Sequence, residues 1–240
     1  MEKSNSVTGR KLTKRLQTAI MSKEIKACPA LARAAAAKGG KKGCACGGKA
    51  ARAYKENEMR VISGTARGTR LAALPGEEIT RPTVDRVKEG MFSAVQFLLA
   101  GARVLDLFAG SGQLGIEALS RGAARCVFID SSREACAVVR QNLKAAGLFE
   151  KASVAETAAE MYLAACRERF DLVLLDPPYR QGTVAALLPA VAAVTAPGGT
   201  VLAETEHGAS LPERCGTLTL KKQYKYGTVA LARYEADAEF

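Results

Sequence analysis

The sequence predicts a doubly wound α/β fold with a mostly parallel central sheet. Beyond residue 100, short apolar runs rich in β-branched residues alternate with stretches that have helical spacing of their apolar residues. A glycine-rich turn follows the first of these runs and leads directly into a helical stretch, which is the strand–turn–helix order of doubly wound folds. The alternation indicates a parallel sheet that is covered by helices on both faces.

The strands of this sheet are predicted from four apolar runs and a closing pair. The runs are RVLDLF at 103–108, CVFID at 126–130, FDLVLLD at 170–176 and GTVLAE at 199–204. One helix is predicted at about 112–120, a second between the second and third runs and extending through Leu143, and a third after the third run. The last segments, TLTLKKQY and KYGTVALARY, follow one another without a helix, so an antiparallel hairpin around Gly227 should close the sheet.

A small hairpin and a helix are predicted ahead of the sheet. MRVIS, from Met59, is typical of a strand, GTARGT is typical of a turn, and RLAAL would form the second strand. Thr83 is a suitable N-cap, because its hydroxyl can accept a hydrogen bond from a backbone N–H of the first helical turn. The helix that follows would bury apolar residues with three- and four-residue spacing, namely Val84, Val87, Met91, Val95 and Leu98.

The positive charge of the chain is concentrated in its first 58 residues. The formal net charge is +11, and residues 1–58 hold 14 Lys and Arg against 4 Asp and Glu, which leaves 21 against 20 in residues 59–240. We therefore expect a flexible basic extension, residues 1–58, followed by one domain, residues 59–240. A basic extension attracts RNA or DNA through counterion release, and a solvated tail without a partner is the alternative interpretation.

Composition argues against several classes of protein. Seven cysteines, an odd number that lies mostly within apolar runs, are typical of reduced thiols, so no disulfide is expected. Cys28, Cys44 and Cys46 have no C-x-x-C pair and no nearby histidine, so a zinc site would lack a fourth ligand and no metal is expected. No apolar stretch reaches signal-peptide length at the N-terminus or membrane-spanning length later, so we expect a cytoplasmic location.

The segment VLDLFAGSGQLG predicts a loop that binds a nucleotide-like cofactor. Its glycines are spaced G-x-G-x-x-G, and Asp130 ends the next strand, where a carboxylate can accept hydrogen bonds from ribose hydroxyls. This pattern alone fits a nicotinamide dehydrogenase equally well. Asp106 favours S-adenosylmethionine, because a carboxylate there suits a cationic cofactor and repels a pyrophosphate. The predicted cofactor-binding residues are Asp106, Phe108, Ala109, Gly110, Ser111, Gly112, Gly115 and Asp130.

The tetrapeptide Asp176-Pro177-Pro178-Tyr179 is predicted to be the catalytic corner. Open α/β sheets place their ligands at the carboxyl ends of strands, so this corner should lie beside the glycine loop. The prolines remove two N–H donors, which leaves the Asp176 carboxylate and the Pro177 carbonyl as acceptors for the amino group of a base. Tyr179 can stack on that base and hold it in line with an activated methyl group. A rigid turn without chemistry is the alternative interpretation.

Four segments of the chain carry a family resemblance: MRVISGTARGTRL, TRPTVDRVKEGMFSAV, LDLFAGSGQLGIEALSRGA and DPPY. With these segments, residues 59–240 resemble the RsmD-type family of bacterial 16S ribosomal RNA guanine-N2 methyltransferases. The resemblance implies a Rossmann-like class I methyltransferase fold with a mostly parallel seven-stranded sheet. It also implies S-adenosylmethionine as cofactor, transfer to N2 of one guanine in the small ribosomal subunit, and Arg81, Pro82 and Thr83 as substrate-binding residues near the active site.

Other functions stay open at this point. An adenine-N6 methyltransferase acting on DNA or RNA would use the same Asp-Pro-Pro-Tyr chemistry, and a non-catalytic assembly factor would hold rRNA through the basic extension. That extension lies outside the resemblance, and we hypothesise that it is either an added rRNA-binding arm or an upstream misassigned start. The one histidine, His207, is interpreted as a polar surface residue rather than a catalytic base. We expect a monomer that acts on 16S rRNA or the small ribosomal subunit.

Overall fold

The computed structural model describes residues 59–74, 82–178 and 182–238. The helices of these ranges are α1 (Pro82–Val95), α2 (Gln113–Ser120), α3 (Arg133–Ala145), α4 (Ala159–Ala165) and α5 (Thr183–Val194). The strands are β1 (Arg103–Leu107), β2 (Arg125–Asp130), β3 (Ala152–Glu156), β4 (Phe170–Leu175), β5 (Thr195–Glu206), β6 (Arg214–Cys215), β7 (Leu218–Tyr226) and β8 (Val229–Ala236). The predicted extension, residues 1–58, lies outside the described residues.

The strands form one mixed sheet in the order β3-β2-β1-β4-β5-β8-β7-β6. The first five strands of this order are parallel, and β8, β7 and β6 pair antiparallel, which confirms the doubly wound sheet closed by a hairpin around Gly227. The predicted number of seven strands is wrong, because β6 adds an eighth. A strand of two residues is too short to show alternation in the sequence and is defined by its pairing with β7 alone.

The hydrophobic core lies on both faces of the sheet. In β4, Leu172 and Leu174 contact a cluster formed with α1, α2 and α3, whereas Val173 and Leu175 contact a second cluster formed with α4 and α5. Burial on both faces explains why this strand appears in the sequence as a continuous apolar run. Each such leucine contributes roughly 1.5–3 kcal/mol through its burial. No helix of the described ranges is long and apolar enough to cross a membrane.

The segment 59–74 differs from the predicted two-stranded hairpin. It folds back on itself, but its strand-like pairing is one isolated antiparallel bridge between Arg60 and Arg70. Around that bridge, the Val61 N–H donates to the Thr69 carbonyl over 3.0 Å. Other backbone N–H groups of the segment donate to side chains of α2 instead of to a partner strand. The prediction of two strands is therefore wrong, while the chain reversal is confirmed.

Helix α1 begins two residues earlier than the predicted N-cap allows, since an N-cap at Thr83 would make Val84 the first helical residue. Its first residue is Pro82, so Thr83 lies inside the first turn and is not the N-cap. Proline suits the first helical position, because its fixed φ is helical and that position has no intrahelical use for an N–H. Among the predicted core residues, Met91 and Val95 are buried, whereas Leu98 lies in the following turn and is 40% exposed.

Candidate active site

The direction in which strands are added to the sheet reverses between β1 and β4. From β1 the chain continues outward through β2 and β3, and from β4 it continues the other way through β5. In doubly wound folds this reversal opens a crevice at the carboxyl ends of the two strands, where ligands bind. Leu107 at the end of β1 pairs with Leu175 at the end of β4, so the glycine loop and the Asp176-Pro177-Pro178 corner start side by side.

Asp106 is a buried carboxylate beneath the glycine loop. It is 1% exposed, and its Oδ2 accepts a hydrogen bond of 2.9 Å from the Gly115 N–H in the first turn of α2. Burial raises the pKa of Asp106 well above its usual value, the Gly115 hydrogen bond lowers it, and the charges of Asp176 and Asp130 raise it further. The structure thus brings carboxylates from the ends of β1, β2 and β4 within electrostatic range of one another.

The loop between β1 and α2 has a backbone that few side chains allow. Phe108, with φ of +65°, is the one non-glycine residue of the described ranges in the left-handed region. Gly110 and Gly112 also have positive φ, of +54° and +77°. A Cβ at Gly110 would meet no atom within 4 Å, so a ligand has room to approach the backbone at this point. The loop is fixed at its start by the Ala109 N–H, which donates to the Ile129 carbonyl over 2.9 Å.

Gly115 lets α2 pack closely on β2. A Cβ at this position would lie 2.3 Å from Cε1 of Phe128 and 2.8 Å from Sγ of Cys126, and both side chains are fully buried. The third glycine of the motif therefore serves helix–strand packing, whereas Gly110 leaves space for a ligand.

Gly115→Ala is expected to destabilise the protein by about 1–3 kcal/mol, because the added methyl group overpacks the core. The sign is informative, since glycine to alanine inside a helix otherwise stabilises by about 1 kcal/mol. Urea denaturation of the two proteins measures the difference. Phe128→Leu in the same chain should recover part of the loss, and a Gly115→Ala protein as stable as the original would contradict this packing.

Asp130 connects the glycine loop to the start of α3. Its Oδ2 accepts a hydrogen bond of 2.9 Å from the Gly110 N–H, and its Oδ1 accepts one of 2.8 Å from the Ser132 N–H. Ser132 is the N-cap of α3, and its hydroxyl accepts a hydrogen bond from the Ala135 N–H. Asp130 is half-buried, so the residue is partly accessible beside the loop.

Pro177 and Pro178, which directly follow Asp176, form one wall of a cavity of about 420 Å³. Asp176 is half-buried, Pro177 is buried and Pro178 is exposed. The start of α5, the end of β5 and the loop after β5 form the other walls. Among the described lining residues the ionisable ones are Glu204, Glu206 and His207. The described part of the lining is therefore acidic, which suits hydrogen-bond donors and disfavours phosphate.

For some predicted site residues the structure describes only the backbone, and others lie outside the described residues. Tyr179 and Arg81 are outside the described residues. Pro82 and Thr83 are described as the start of α1, and their side chains are not. His207 is exposed, as expected, but it also lines the cavity, which nothing in the sequence indicated.

Three buried polar residues of the helices behind the loop were not predicted. Glu117 of α2 accepts hydrogen bonds from the Ile62 and Ser63 N–H groups, over 2.7 and 2.9 Å. Ser120 accepts one from the Ala66 N–H. The side-chain amide of Asn142 in α3 accepts a hydrogen bond from the Ala72 N–H and donates one to the Ala72 carbonyl. Its Nδ2 also donates to the Ser111 carbonyl in the glycine loop, over 2.8 Å. The segment 59–74 therefore supports the loop from behind.

No group of His, Cys, Asp and Glu side chains among the described residues is arranged to hold a metal ion. The Asp106, Asp130 and Asp176 carboxylates lie in the same region, but they are held by separate strands. In their ionised forms these carboxylates together give the crevice a negative potential, which favours a cationic ligand.

Known proteins are similar to this chain in sequence. The family described as Conserved hypothetical protein 95 matches residues 59–235. YlbH of Bacillus subtilis is 41% identical over 182 residues, which are 74% of this chain and 98% of that protein. Ribosomal RNA small subunit methyltransferase D of Escherichia coli is 32% identical over 186 residues, covering 76% of this chain and 92% of that protein.

Solved structures of methyltransferases have the same fold as this chain. The yhhF protein of Escherichia coli superposes with a TM-score of 0.66 at 31% identity and covers 76% of this chain and 99% of that chain. An RNA methyltransferase of Salinibacter ruber, solved with S-adenosyl-L-homocysteine, has the same fold at 20% identity, with a TM-score of 0.51 and coverage of 68% and 96%. The chain therefore belongs to the Conserved hypothetical protein 95 family, the RsmD family of small-subunit ribosomal RNA methyltransferases.

Proposed function

We propose that this protein transfers a methyl group from S-adenosylmethionine to the exocyclic N2 of a guanine in 16S rRNA of the small ribosomal subunit. The observation that carries the proposal is the meeting of the glycine loop with the Asp176-Pro177-Pro178 corner, since β1 and β4 end in register and Asp176 influences the buried Asp106. Methyl transfer needs a cofactor loop and an acceptor-bearing corner at such neighbouring strand ends.

The residues of the crevice fit S-adenosylmethionine better than a dinucleotide. The open space at Gly110 allows close approach of a ligand. The Asp130 carboxylate at the loop, and Asp106 in its ionised form, favour a cation over a pyrophosphate. In this proposal the partly accessible Asp130 accepts hydrogen bonds from the ribose hydroxyls. The residues that would form the cofactor site are Asp106, Phe108, Ala109, Gly110, Ser111, Gly112, Gly115 and Asp130, with Gly115 acting through its packing and its hydrogen bond to Asp106.

The Asp176-Pro177-Pro178-Tyr179 corner carries the chemistry in this proposal. When bound, S-adenosylmethionine supplies a methyl group that is already activated by its sulfonium. The lone pair of a guanine amino group is delocalised into the ring, so the Asp176 carboxylate and the Pro177 carbonyl must accept its hydrogen bonds and localise the lone pair. Asp176 then takes up the proton that the amino group releases, and Tyr179 and Pro178 hold the base in line.

The cavity beside this corner favours guanine over adenine. The Watson–Crick edge of guanine presents two neighbouring donors, N1–H and the N2 amino group, whereas adenine presents one donor and one acceptor. Two glutamates, Glu204 and Glu206, are among the described lining residues, and a carboxylate is an acceptor. We propose Arg81, Pro82 and Thr83 as further substrate contacts, residues 59–240 as the catalytic domain, and a monomer acting in the cytoplasm.

The proposed function is tested with labelled cofactor and small subunits that lack the modification. Incubation should label 16S rRNA, and nucleoside analysis should identify N2-methylguanosine. Recovery of N6-methyladenosine would establish the adenine alternative instead. Binding of rRNA without any transfer would establish a non-catalytic assembly factor.

Asp106→Asn separates cofactor binding from folding. Asparagine can still accept the Gly115 hydrogen bond but carries no charge, so we expect affinity for S-adenosylhomocysteine, measured by calorimetry, to fall about 10- to 100-fold. Because the pKa of Asp106 is raised, its ionised form opposes folding, and the stability of the ligand-free protein decreases as pH rises above the usual pKa of an aspartate. The variant should therefore melt higher than the original, by more at pH 8 than at pH 5. Unchanged affinity would remove Asp106 from the cofactor site.

A further inference from the structure

The outer edge of β7 is open for most of its length. β6 pairs with Leu218 and Thr219, and one more hydrogen bond joins the Leu220 N–H to the Glu213 carbonyl. β6 is the last strand of the sheet, so within the described part of the chain no strand covers the outer side of 221–226. Lys221, Lys222 and Lys225 are exposed along this stretch, and we call these three residues the lysine edge.

The three lysines of the lysine edge are the charged side chains of β7, so the strand carries positive charge alone. Residues 59–240 hold 21 Lys and Arg against 20 Asp and Glu. Without the three lysines of the lysine edge, these residues would hold 18 positive against 20 negative side chains. The described part of the cavity lining is acidic and disfavours phosphate. An RNA whose base enters the cavity must therefore find counterions for its backbone outside the cavity.

The lysine edge leads to the cavity. β7 runs antiparallel to β8, and β8 runs antiparallel to β5, so the carboxyl end of β7 lies at the same end of the sheet as that of β5. There the His207 N–H donates 3.0 Å to the Thr228 carbonyl in the β7–β8 turn, and Glu206 pairs with Val229. The turn that follows β7 is thus bonded to the loop that lines the cavity.

We propose that the lysine edge binds the phosphate backbone of the substrate RNA and leads it to the cavity. This inference rests on the proposed function, because it assigns a further contact for the same substrate. From Lys221 to Lys225 the strand extends about 13 Å, at about 3.3 Å per residue, so the lysines accompany the backbone along the strand rather than at one point. Lysine suits this task, since it binds phosphate as a point charge without reading sequence.

Two other roles for the lysine edge predict different behaviour. Lysines on an edge strand protect against pairing with other chains, and a glutamate protects equally well. A second copy of the chain is disfavoured as occupant, because antiparallel pairing of two such edges would bring like charges together. Charge reversal therefore distinguishes RNA binding from edge protection.

The experiment compares two full-length variants of equal charge. The edge variant carries Lys221→Glu, Lys222→Glu and Lys225→Glu, and the control variant carries Lys144→Glu, Lys151→Glu and Arg167→Glu. The control residues lie near the amino ends of the parallel strands, away from the cavity. Affinity for an unmethylated 16S rRNA transcript is measured over a range of salt concentrations, together with KM and kcat for methylation.

The edge variant should have a salt slope about 2 smaller than the control, since each lost phosphate contact on a single strand removes about 0.7. At 0.1 M salt this corresponds to roughly 100-fold weaker binding, with KM raised and affinity for S-adenosylhomocysteine unchanged. A difference in slope below about 1 would overturn the proposal. So would sedimentation that shows a dimer in the original chain and a monomer in the edge variant.

Two further measurements keep the result decisive. If the edge variant does not fold, Lys225→Gln is compared with Lys151→Gln, where a slope difference near 0.7 supports the proposal and no difference overturns it. If the original chain binds the transcript but methylates no rRNA, the proposed function fails. The binding comparison still decides whether the lysine edge contacts RNA.

Discussion

Asp176→Asn is expected to lower the rate of methyl transfer by about 10²- to 10⁴-fold, the usual effect of removing a positioned proton acceptor. The amide still occupies the corner beside Pro177, but it accepts hydrogen bonds less strongly and cannot take up the proton. Single-turnover transfer to unmethylated small subunits measures the effect. Binding of S-adenosylhomocysteine and of rRNA should stay within a few-fold of the original, because the glycine loop and the lysine edge are unchanged.

Asp171→Asn is the matched control for that variant. Asp171 is on the same strand, β4, but near its amino end, where its carboxylate is exposed and paired with Arg103 over 3.1 Å. We expect its transfer rate to equal that of the original chain, since exposed ion pairs contribute about 0–1 kcal/mol to stability and this one is far from the cavity. Equal rates for Asp176→Asn and Asp171→Asn would exclude Asp176 from the chemistry.

Glu117→Ala is expected to lower the free energy of unfolding by about 3–5 kcal/mol, the cost of breaking a buried charged interaction on one side. The carboxylate, 1% exposed, accepts from the Ile62 and Ser63 N–H groups and pairs with Arg121 over 2.7 Å. Its removal leaves two N–H groups and a guanidinium without this partner. Urea unfolding followed by circular dichroism measures the loss.

The same substitution at an exposed glutamate gives the comparison. Glu160 lies in the first turn of α4 and is exposed, so Glu160→Ala should change stability by less than about 1 kcal/mol. Limited proteolysis adds a local readout, because the Glu117 variant should be cleaved first within 59–74. If Glu117→Ala were as stable as Glu160→Ala, the segment would not depend on this carboxylate.

The central fold could be predicted because its signals are local. β4 is buried on both faces, which requires an unbroken apolar run, and the glycines of the first loop are needed at fixed spacing for a turn, a ligand and a close helix contact. The position of Asp176 beside the loop followed from the rule that strands of a parallel sheet end together. The first two of these inferences used residues within a dozen positions of one another, and the third used a general rule of sheet topology.

The rest could not be predicted because its causes are distant in sequence. β6 exists through its pairing with β7, and the N–H groups of Ile62 and Ser63 find their acceptor about 55 residues away in Glu117. A glutamate inside an amphipathic helix gives no sign that it will be buried. His207 came to line the cavity because β5 carries the loop after it past the corner, which its local sequence does not reveal.

The two hydrogen bonds of Asp130 have a consequence for the thermodynamics of ligand capture. Because both oxygens already accept backbone N–H groups, of Gly110 and Ser132, the loop has its shape before any ligand arrives. A preorganised loop loses little conformational entropy on association, so more of the contact energy is retained as affinity. Amide hydrogen exchange at Gly110 should accordingly be slow in the ligand-free protein and change little when S-adenosylhomocysteine is added.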